Sequence, residues 1–502
     1  MNKETIESAE MRLLTLIEEK QSENERMKDN EKWWRLKHFD RMKGDVKPTS
    51  GWLFNSIINK HADAMDNLPT AAILPRSADD KKASELLSKV VPALLEKCDF
   101  EKVYSDIWWD KLKFGVGVYG VFWNPKGVGE PEIKRINPQN LYFSTTENDI
   151  NSSSELFYLE TVNKTRLLEI APKIDLENAR GSVTPEGNGR DRFVIVNWYY
   201  RKKGKLHFCR FAGSEVIFSS EKEKGFENGW YNHGRFPFVF DAMFPIPNSP
   251  LGFGFIDTMK NTQGYIDLIS KAILENALLS SKKRFFLRDD GSINEAEFMD
   301  FSNPIIHCSG NLGEDSIREF HTSPLSDIYV GVLKHKIDEI KETSGNRDFS
   351  QGSVSNGVTA ASAINALQEA GGKLSRDMLT TSYRAFRDVC YLLIELLRQF
   401  YTLPRMIRIS GDEFLSFDNS LISEQKQVSE FGVEFENRLP VFDVIVKSQK
   451  GTPYQKAAIN ELALQLFNCG FFSPERRLEA AAAAEMMDFE GKPEVIKRLE
   501  QS

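Results

Sequence analysis

Between residues 256 and 401 the hydrophobic period switches on and off in a fixed succession, and this constrains the fold more than any other feature. Ile256–Ser281 sets Ile266, Ile269, Ile273 and Leu274 at helical spacing with no proline. Residues 282–325 lose that period and read as turn-rich and β-like, with Asp289-Asp290-Gly291 as a tight turn and Pro304 and Pro324 as breaks. The helical period returns over Ser326–Thr343, where Val330, Leu333, Ile337 and Ile340 form a stripe and Lys334, Lys336, Lys341 and Glu342 lie off it. Gly345–Gly357 is a loop of glycines and serines without apolar spacing. Thr359 then opens the longest helical pattern of the chain, to about Tyr401. Its stripe is Ile364, Leu367, Leu374, Met378, Ala385, Val389, Leu393, Leu396 and Phe400, with a kink expected at Gly371-Gly372 and a stop at Pro404. Two helices that bracket a small β-rich insert make a stalk.

The flanks give the fold class. The first forty residues read as a charged helix, followed by an aromatic cluster of Trp33, Trp34 and Phe39. Helices are expected over 53–65, 79–96 and 100–113. Val116–Trp123, Leu156–Val162, Phe193–Tyr200 and Lys205–Phe211 alternate as strands, with Lys202–Lys205 as a hairpin turn. Strands are expected again at Arg405–Ser410 and Val441–Ser448. Beyond them come helices at Tyr454–Phe467, from Ser473-Pro474-Glu475 through Ala480–Ala484, and from Pro493. The class is α+β, and 502 residues require more than one core.

Composition excludes several functions. With 41% hydrophobic and 27% charged residues the chain is a folded protein rather than a disordered one. No apolar run reaches the roughly 20 residues a bilayer needs, and the N-terminus lacks a signal-peptide core, so no membrane association is expected. Cys98, Cys209, Cys308, Cys390 and Cys469 lie far apart, which predicts reduced, mostly buried thiols. A net charge of −8 argues against a protein that grips DNA by neutralising phosphates, and suits one that lets DNA slide past.

Catalytic signatures are weak or missing. Gly115-Val-Gly-Val-Tyr-Gly120 matches the dinucleotide string G-x-G-x-x-G by letter. That string needs a strand before it and a helix after it, whereas here a helix precedes and a strand follows, so the glycines read as a helix-to-strand junction. There is no phosphate-binding G-x-x-x-x-G-K-[ST], no H-E-x-x-H and no histidine pair at ligand spacing. No catalytic residue, cofactor or metal site is therefore expected. Trp108-Trp109 reads as core rather than as a base-stacking platform. Lys282-Lys283-Arg284 with Arg288 supports two readings, a solvated helix C-terminus whose cations offset the dipole, or a basic lip near DNA.

Three strings, in this order, carry a resemblance: Pro250-Leu-Gly-Phe-Gly-Phe-Ile256 with Asn261-Thr-Gln263, Gly357-Val-Thr-Ala-Ala-Ser-Ala-Ile-Asn-Ala-Leu-Gln-Glu-Ala-Gly371, and Leu466-Phe-Asn-Cys-Gly-Phe-Phe-Ser-Pro-Glu475 leading to Asp488-Phe489. Together with the helix, insert, helix, loop, long-helix plan, the chain resembles the portal proteins of tailed double-stranded DNA bacteriophages along nearly its whole length. The resemblance implies a portal fold: an α/β wing (1–255), a first stem helix (256–281), a small β-rich clip (282–325), a second stem helix (326–344), a tunnel loop (345–357), a long wing helix with wing strands (358–450) and a C-terminal helical crown (451–502). It implies a homo-oligomeric ring, usually a dodecamer, at one capsid vertex of the virion, assembled in the host cytoplasm. Genome packaging and ejection run through that ring. The partners implied are the large terminase subunit, head–tail adaptor proteins, the major capsid and scaffolding proteins, and double-stranded DNA passing without sequence contacts.

The tunnel loop would comprise Gly345, Asn346, Arg347, Asp348, Phe349, Ser350, Gln351, Gly352, Ser353, Val354, Ser355, Asn356 and Gly357. Channel or clip cations would come from Lys282, Lys283, Arg284, Arg288, Lys334, Lys336 and Lys341. The clip has too little apolar sequence for a core of its own, so its strands are expected to pair with those of neighbouring subunits and bury Phe285, Phe286, Ile305 and Ile306. Two other readings share the composition: a tail or baseplate structural protein, and a DNA-processing enzyme. Neither calls for a stalk with a loop at its inner end.

Overall fold

The computed structural model describes residues 3–39, 49–183, 191–281, 284–287, 293–300, 302, 304–310, 317–320, 325–345, 373–410, 413–424, 438–450, 465 and 469–470. Along the chain the elements are α1 (Lys3–Glu19), α2 (Gln21–Trp34), α3 (Trp52–Met65), β1 (Asn67–Pro75), α4 (Lys81–Lys97), α5 (Phe100–Phe114), β2 (Val116–Asn124), β3 (Glu130–Ile136), β4 (Leu141–Phe143), β5 (Glu155–Asn163), α6 (Lys164–Ile170), β6 (Arg192–Lys202), β7 (Lys205–Ala212), β8 (Glu215–Ser219) and β9 (Phe238–Ala242). There follow β10 (Phe244–Pro245), β11 (Gly252–Phe253), α7 (Phe255–Ser281), β12 (Arg284–Leu287), α8 (Glu295–Met299), β13 (Ile317–Phe320), α9 (Ile328–Ser344), α10 (Lys373–Phe400), β14 (Arg405–Ser410), β15 (Glu413–Phe417) and β16 (Phe442–Lys450). The chain is α+β. Its contacts divide it into two compact units, one of residues 1–60, 106–119 and 135–378, the other of 61–105, 120–134 and 379–502.

In the first unit, β4 to β8 form a five-stranded sheet in sequence order, each neighbouring pair antiparallel. One face is covered by α1, whose Ile6, Ala9, Leu13 and Leu16 pack on Phe157, Val196, Trp198 and Phe211. That spacing of three and four residues is the stripe an amphipathic helix needs to bury one side. The opposite face, with Phe193 and Ile195, lies under Leu167 of α6. The β6–β7 turn at Lys203 and Gly204 takes positive φ at both positions, 51° and 74°, the backbone twist that suits a two-residue hairpin. Lys111 on α5 and Asp241 on β9 form an ion pair at 2.7 Å with both side chains 0% exposed. Burial pushes the Lys111 ammonium below its ordinary pKa, and Asp241 opposes that shift.

In the second unit β1 pairs antiparallel with β16 across nearly the whole chain, Asn67 opposite Lys450 and Pro75 opposite Phe442. Ser88 of α4 fastens β1 by exchanging hydrogen bonds with the Ile73 backbone, both at 3.0 Å. From Leu379 onward α10 buries Phe386, Val389, Cys390, Leu393 and Leu397. Arg398, near its end, donates to the carbonyls of Ile422 (2.7 Å) and Pro440 (2.9 Å).

Several expectations change. The single charged helix of the first forty residues is two, α1 and α2, because Lys20 turns its buried ammonium onto the carbonyls of Pro138 and Leu141. The strands β1, β3, β4, β8 to β11 and β15 and the short helix α6 escaped the periodicity; β1 carries two prolines that argue locally against a strand and is fixed by its distant partner. Cysteines are less uniformly buried than expected: Cys209 and Cys390 are buried, but Cys308 and Cys469 are exposed. Burial raises the Cys98 thiol to about 11 and that of Cys209 to about 12, leaving both protonated. Asp289-Asp290-Gly291, Pro324, Gly371-Gly372 and the C-terminal helices from Ser473 on lie outside the described residues, as does nearly all of 454–467.

Candidate functional site

The site is the paired helices α7 and α9 with the small β insert between them, all within the first unit. Its foundation is a backbone crossing that only glycine allows. A Cβ on Gly115 would sit 2.4 Å from the Phe253 backbone, one on Gly252 2.6 Å from the Gly115 carbonyl oxygen, and one on Gly254 2.7 Å from the Leu112 oxygen. Gly115 also has φ +90°. Gly115 and the Gly252-Phe-Gly254 turn before α7 are therefore two sides of one contact, while Gly117 lies close against Ile107 of α5 instead. The nucleotide-loop reading is excluded on its own requirement: α5 ends just before Gly115 and β2 takes up the rest of the string from Val116 on.

Polar side chains lock the first half of α7. Arg26 on α2 pairs with Asp257 and donates to the carbonyls of Phe114 (3.2 Å) and Gly252 (3.0 Å). Deeper along α7, Asp267 is 1% exposed and its carboxylate accepts from Ser50 N (3.0 Å), Ser50 Oγ (2.6 Å), Gln263 Nε2 (2.9 Å) and His38 Nε2 (3.0 Å). Gln263, also 1% exposed, accepts from Leu53 N at 3.0 Å. His38 stacks on Trp33 with ring centroids 3.9 Å apart. The aromatic cluster is thus the wall behind a buried polar clasp. Trp108 is core at 1% exposure, and Trp109 packs against Trp34 at 5.2 Å.

From Tyr265 on, α7 also turns apolar side chains outward: Tyr265 (56% exposed), Leu268 (42%) and Ala272 lie three and four residues apart, Leu279 (41%) comes one heptad further with Glu275 between, and Leu274 and Leu278 are nearly half exposed too. At the start of α9, Ile328 (67%), Tyr329, Val330 and Val332 are exposed as well. An apolar seam of this length on a helix pair is the mark of a surface that another chain covers.

In the insert, β12 and β13 pair with each other within the chain, Phe285 opposite Glu319 and Phe286 opposite Arg318. Phe285 packs edge-on against Phe298 of α8 at 5.0 Å. Phe286, Ile305 and Ile306 remain exposed in the single chain.

Of the cations read from the sequence, Arg284 begins β12 opposite Phe320, while Lys282, Lys283 and Arg288 lie outside the described residues. Lys334, Lys336 and Lys341 are all on α9. Lys336 is 2.7 Å from Glu339, whose other oxygen accepts from Thr262, and these bonds hold the Glu339 carboxyl below its usual pKa. Lys341 lies 5.9 Å over the Trp52 ring. Of the loop, Gly345 caps α9 with φ 68° and donates its N–H to the Glu342 carbonyl at 3.2 Å; Asn346 to Gly357 lie outside the described residues. Among the described residues no three His, Cys, Asp or Glu side chains gather as a metal site, and no helix is long and apolar enough to cross a membrane.

The profile of the phage P22-like portal protein family matches residues 236–502, more than half the chain and all of α7, the insert and α9. The chain belongs to the P22-like phage portal protein family. Portal proteins of this family are structural parts of the phage capsid, not enzymes, and act as oligomeric rings with capsid and packaging partners. No curated protein matches the chain. Sequence reading found the helix pair and its cations. It missed Asp267, His38, Ser50 and Arg26; of these only Asp267, with Gln263, left a visible signal, a charged and an amide residue among the apolar positions of α7.

Proposed function

We propose that the chain is the subunit of a closed ring of twelve copies.

 

The ring is a dodecamer at one vertex of the virion capsid, assembled in the host cytoplasm. Its channel carries the genome inward during packaging and outward at ejection. In this reading α7 and α9 are the stem, residues 282–325 the clip, residues 345–357 the tunnel loop and 451–502 the crown. Residues 1–255 and 358–450 supply the wing. The large terminase subunit docks on the clip and head–tail adaptors later replace it, while the major capsid and scaffolding proteins meet the wing. The loop meets the duplex sterically, since Arg347 is its one cation and Asp348 stands beside it.

The observation that carries this reading is the apolar seam on α7, which a lone subunit leaves in water. Fully burying one such side chain is worth about 1.5–3 kcal/mol, so a seam of several supports stable association. The acidic net charge of −8 fits a channel that repels phosphates overall and so lets DNA slide. Replacing Leu268 and Leu279 with glutamate tests the seam. The variant should keep its helical circular dichroism yet run as a monomer in native mass spectrometry. A variant that assembles as the unsubstituted chain does would remove the seam from the argument. The purified protein is expected to hydrolyse neither ATP nor DNA.

A further inference from the structure

The three lysines of α9 are not equivalent. Lys336 is answered by Glu339 at 2.7 Å and lies 5.8 Å over the Tyr265 ring. Lys341 is half-buried against Trp52. Lys334 is exposed, and among the described residues it makes no hydrogen bond, ion pair or ring contact. Asp338 and Glu342, both exposed, follow it at intervals of four residues, close to one face of the helix. A rise of 1.5 Å per residue puts Asp338 about 6 Å and Glu342 about 12 Å further along the axis.

Resting on the ring reading, we propose that Lys334 is the residue through which α9 meets the phosphates of a passing duplex, and that Asp338 keeps the encounter brief. In a ring each position becomes a belt, so one positive belt is followed by two negative ones. A phosphate at Lys334 lies within one Debye length, about 8–10 Å, of the Asp338 belt and is repelled as it is attracted. The contact is weak, independent of base sequence and quickly released, which is what a sliding duplex requires. Lys336 and Lys341 cannot serve in the same way, because one is neutralised in place and the other is held against an indole.

The test uses assembled rings of the full chain and a short fluorescent duplex, with anisotropy read across a salt series. Lys334→Ala should weaken binding at low salt about fivefold and flatten the log–log salt slope by about one unit or more. Lys336→Ala should leave both unchanged. Asp338→Asn should tighten binding about tenfold, and adding Lys334→Ala should abolish that gain, since the two act on one contact. Equal effects of Lys334→Ala and Lys336→Ala, or a gain from Asp338→Asn that survives without Lys334, would overturn the proposal. Rings that bind duplex indifferently to residue 334 would also overturn it while leaving the ring reading intact. Failure of the unsubstituted chain to form rings would sink both.

Discussion

Replacing Gly115 with alanine probes the foundation on which α7 stands. Two costs combine there. A non-glycine residue in the left-handed region costs about 1–2 kcal/mol, and the new Cβ would lie 2.4 Å from the Phe253 backbone, which cannot swing aside as a side chain would. Overpacking of this kind adds about 1–3 kcal/mol. Gly204 supplies the control: its φ is +74°, but nothing lies within 4 Å of its Cβ position. Gly204→Ala should therefore cost only about 1 kcal/mol, and Gly115→Ala about 3 kcal/mol. A gap of about 2 kcal/mol corresponds to about 3 °C in melting temperature for a unit of roughly 300 residues. Thermal unfolding followed by intrinsic tryptophan fluorescence measures it. Gly252→Ala disturbs the same crossing, so the pair Gly115→Ala with Gly252→Ala should cost less than the sum of the two. Equal melting temperatures for Gly115→Ala and Gly204→Ala would refute the crossing as the reason for glycine at 115.

Other perturbations follow from the same geometry. Asp267→Ala strands the buried donors of Ser50, Gln263 and His38 and should cost at least about 3 kcal/mol, read as a lower melting temperature and faster proteolysis near α7. Asp241→Ala removes the carboxylate paired with the buried Lys111 ammonium and should cost about 3–5 kcal/mol, whereas Lys111→Met combined with Asp241→Leu should cost much less; a double variant as unstable as the single one would contradict this. Burial lowers the Lys20 ammonium to about 7, so the unfolded chain binds more protons than the folded one above that pH. The cost of burying that charge is fully present below pH 7 and is relieved as pH rises, so stability gains on going from pH 7 to 9 should shrink in Lys20→Met.

How much of this could be read from the sequence depended on range. The helix pair, the long helix and the β6–β7 hairpin were legible because each is fixed by its own spacing or turn residues, as at Lys203 and Gly204. β1 was not, because its strand character comes from β16, more than three hundred positions away, and Pro69 and Pro75 argue locally against it. The glycines at 115 and 252 were noticed separately, but nothing in one dimension says that they touch. The clasp around Asp267 was invisible for the same reason: His38 and Ser50 reach α7 from the far end of the chain. The lysines of α9 were legible as cations, while their differing partners emerged only in three dimensions.

The central claim is that this chain closes into a ring with a channel along its axis. Negative-stain electron microscopy of the purified full-length protein tests it most directly. The account predicts end-on views of closed rings with a stain-filled centre and side views with a narrow stalk on one side. Monomers, or open filaments without closure, under conditions where the fold is intact would contradict it.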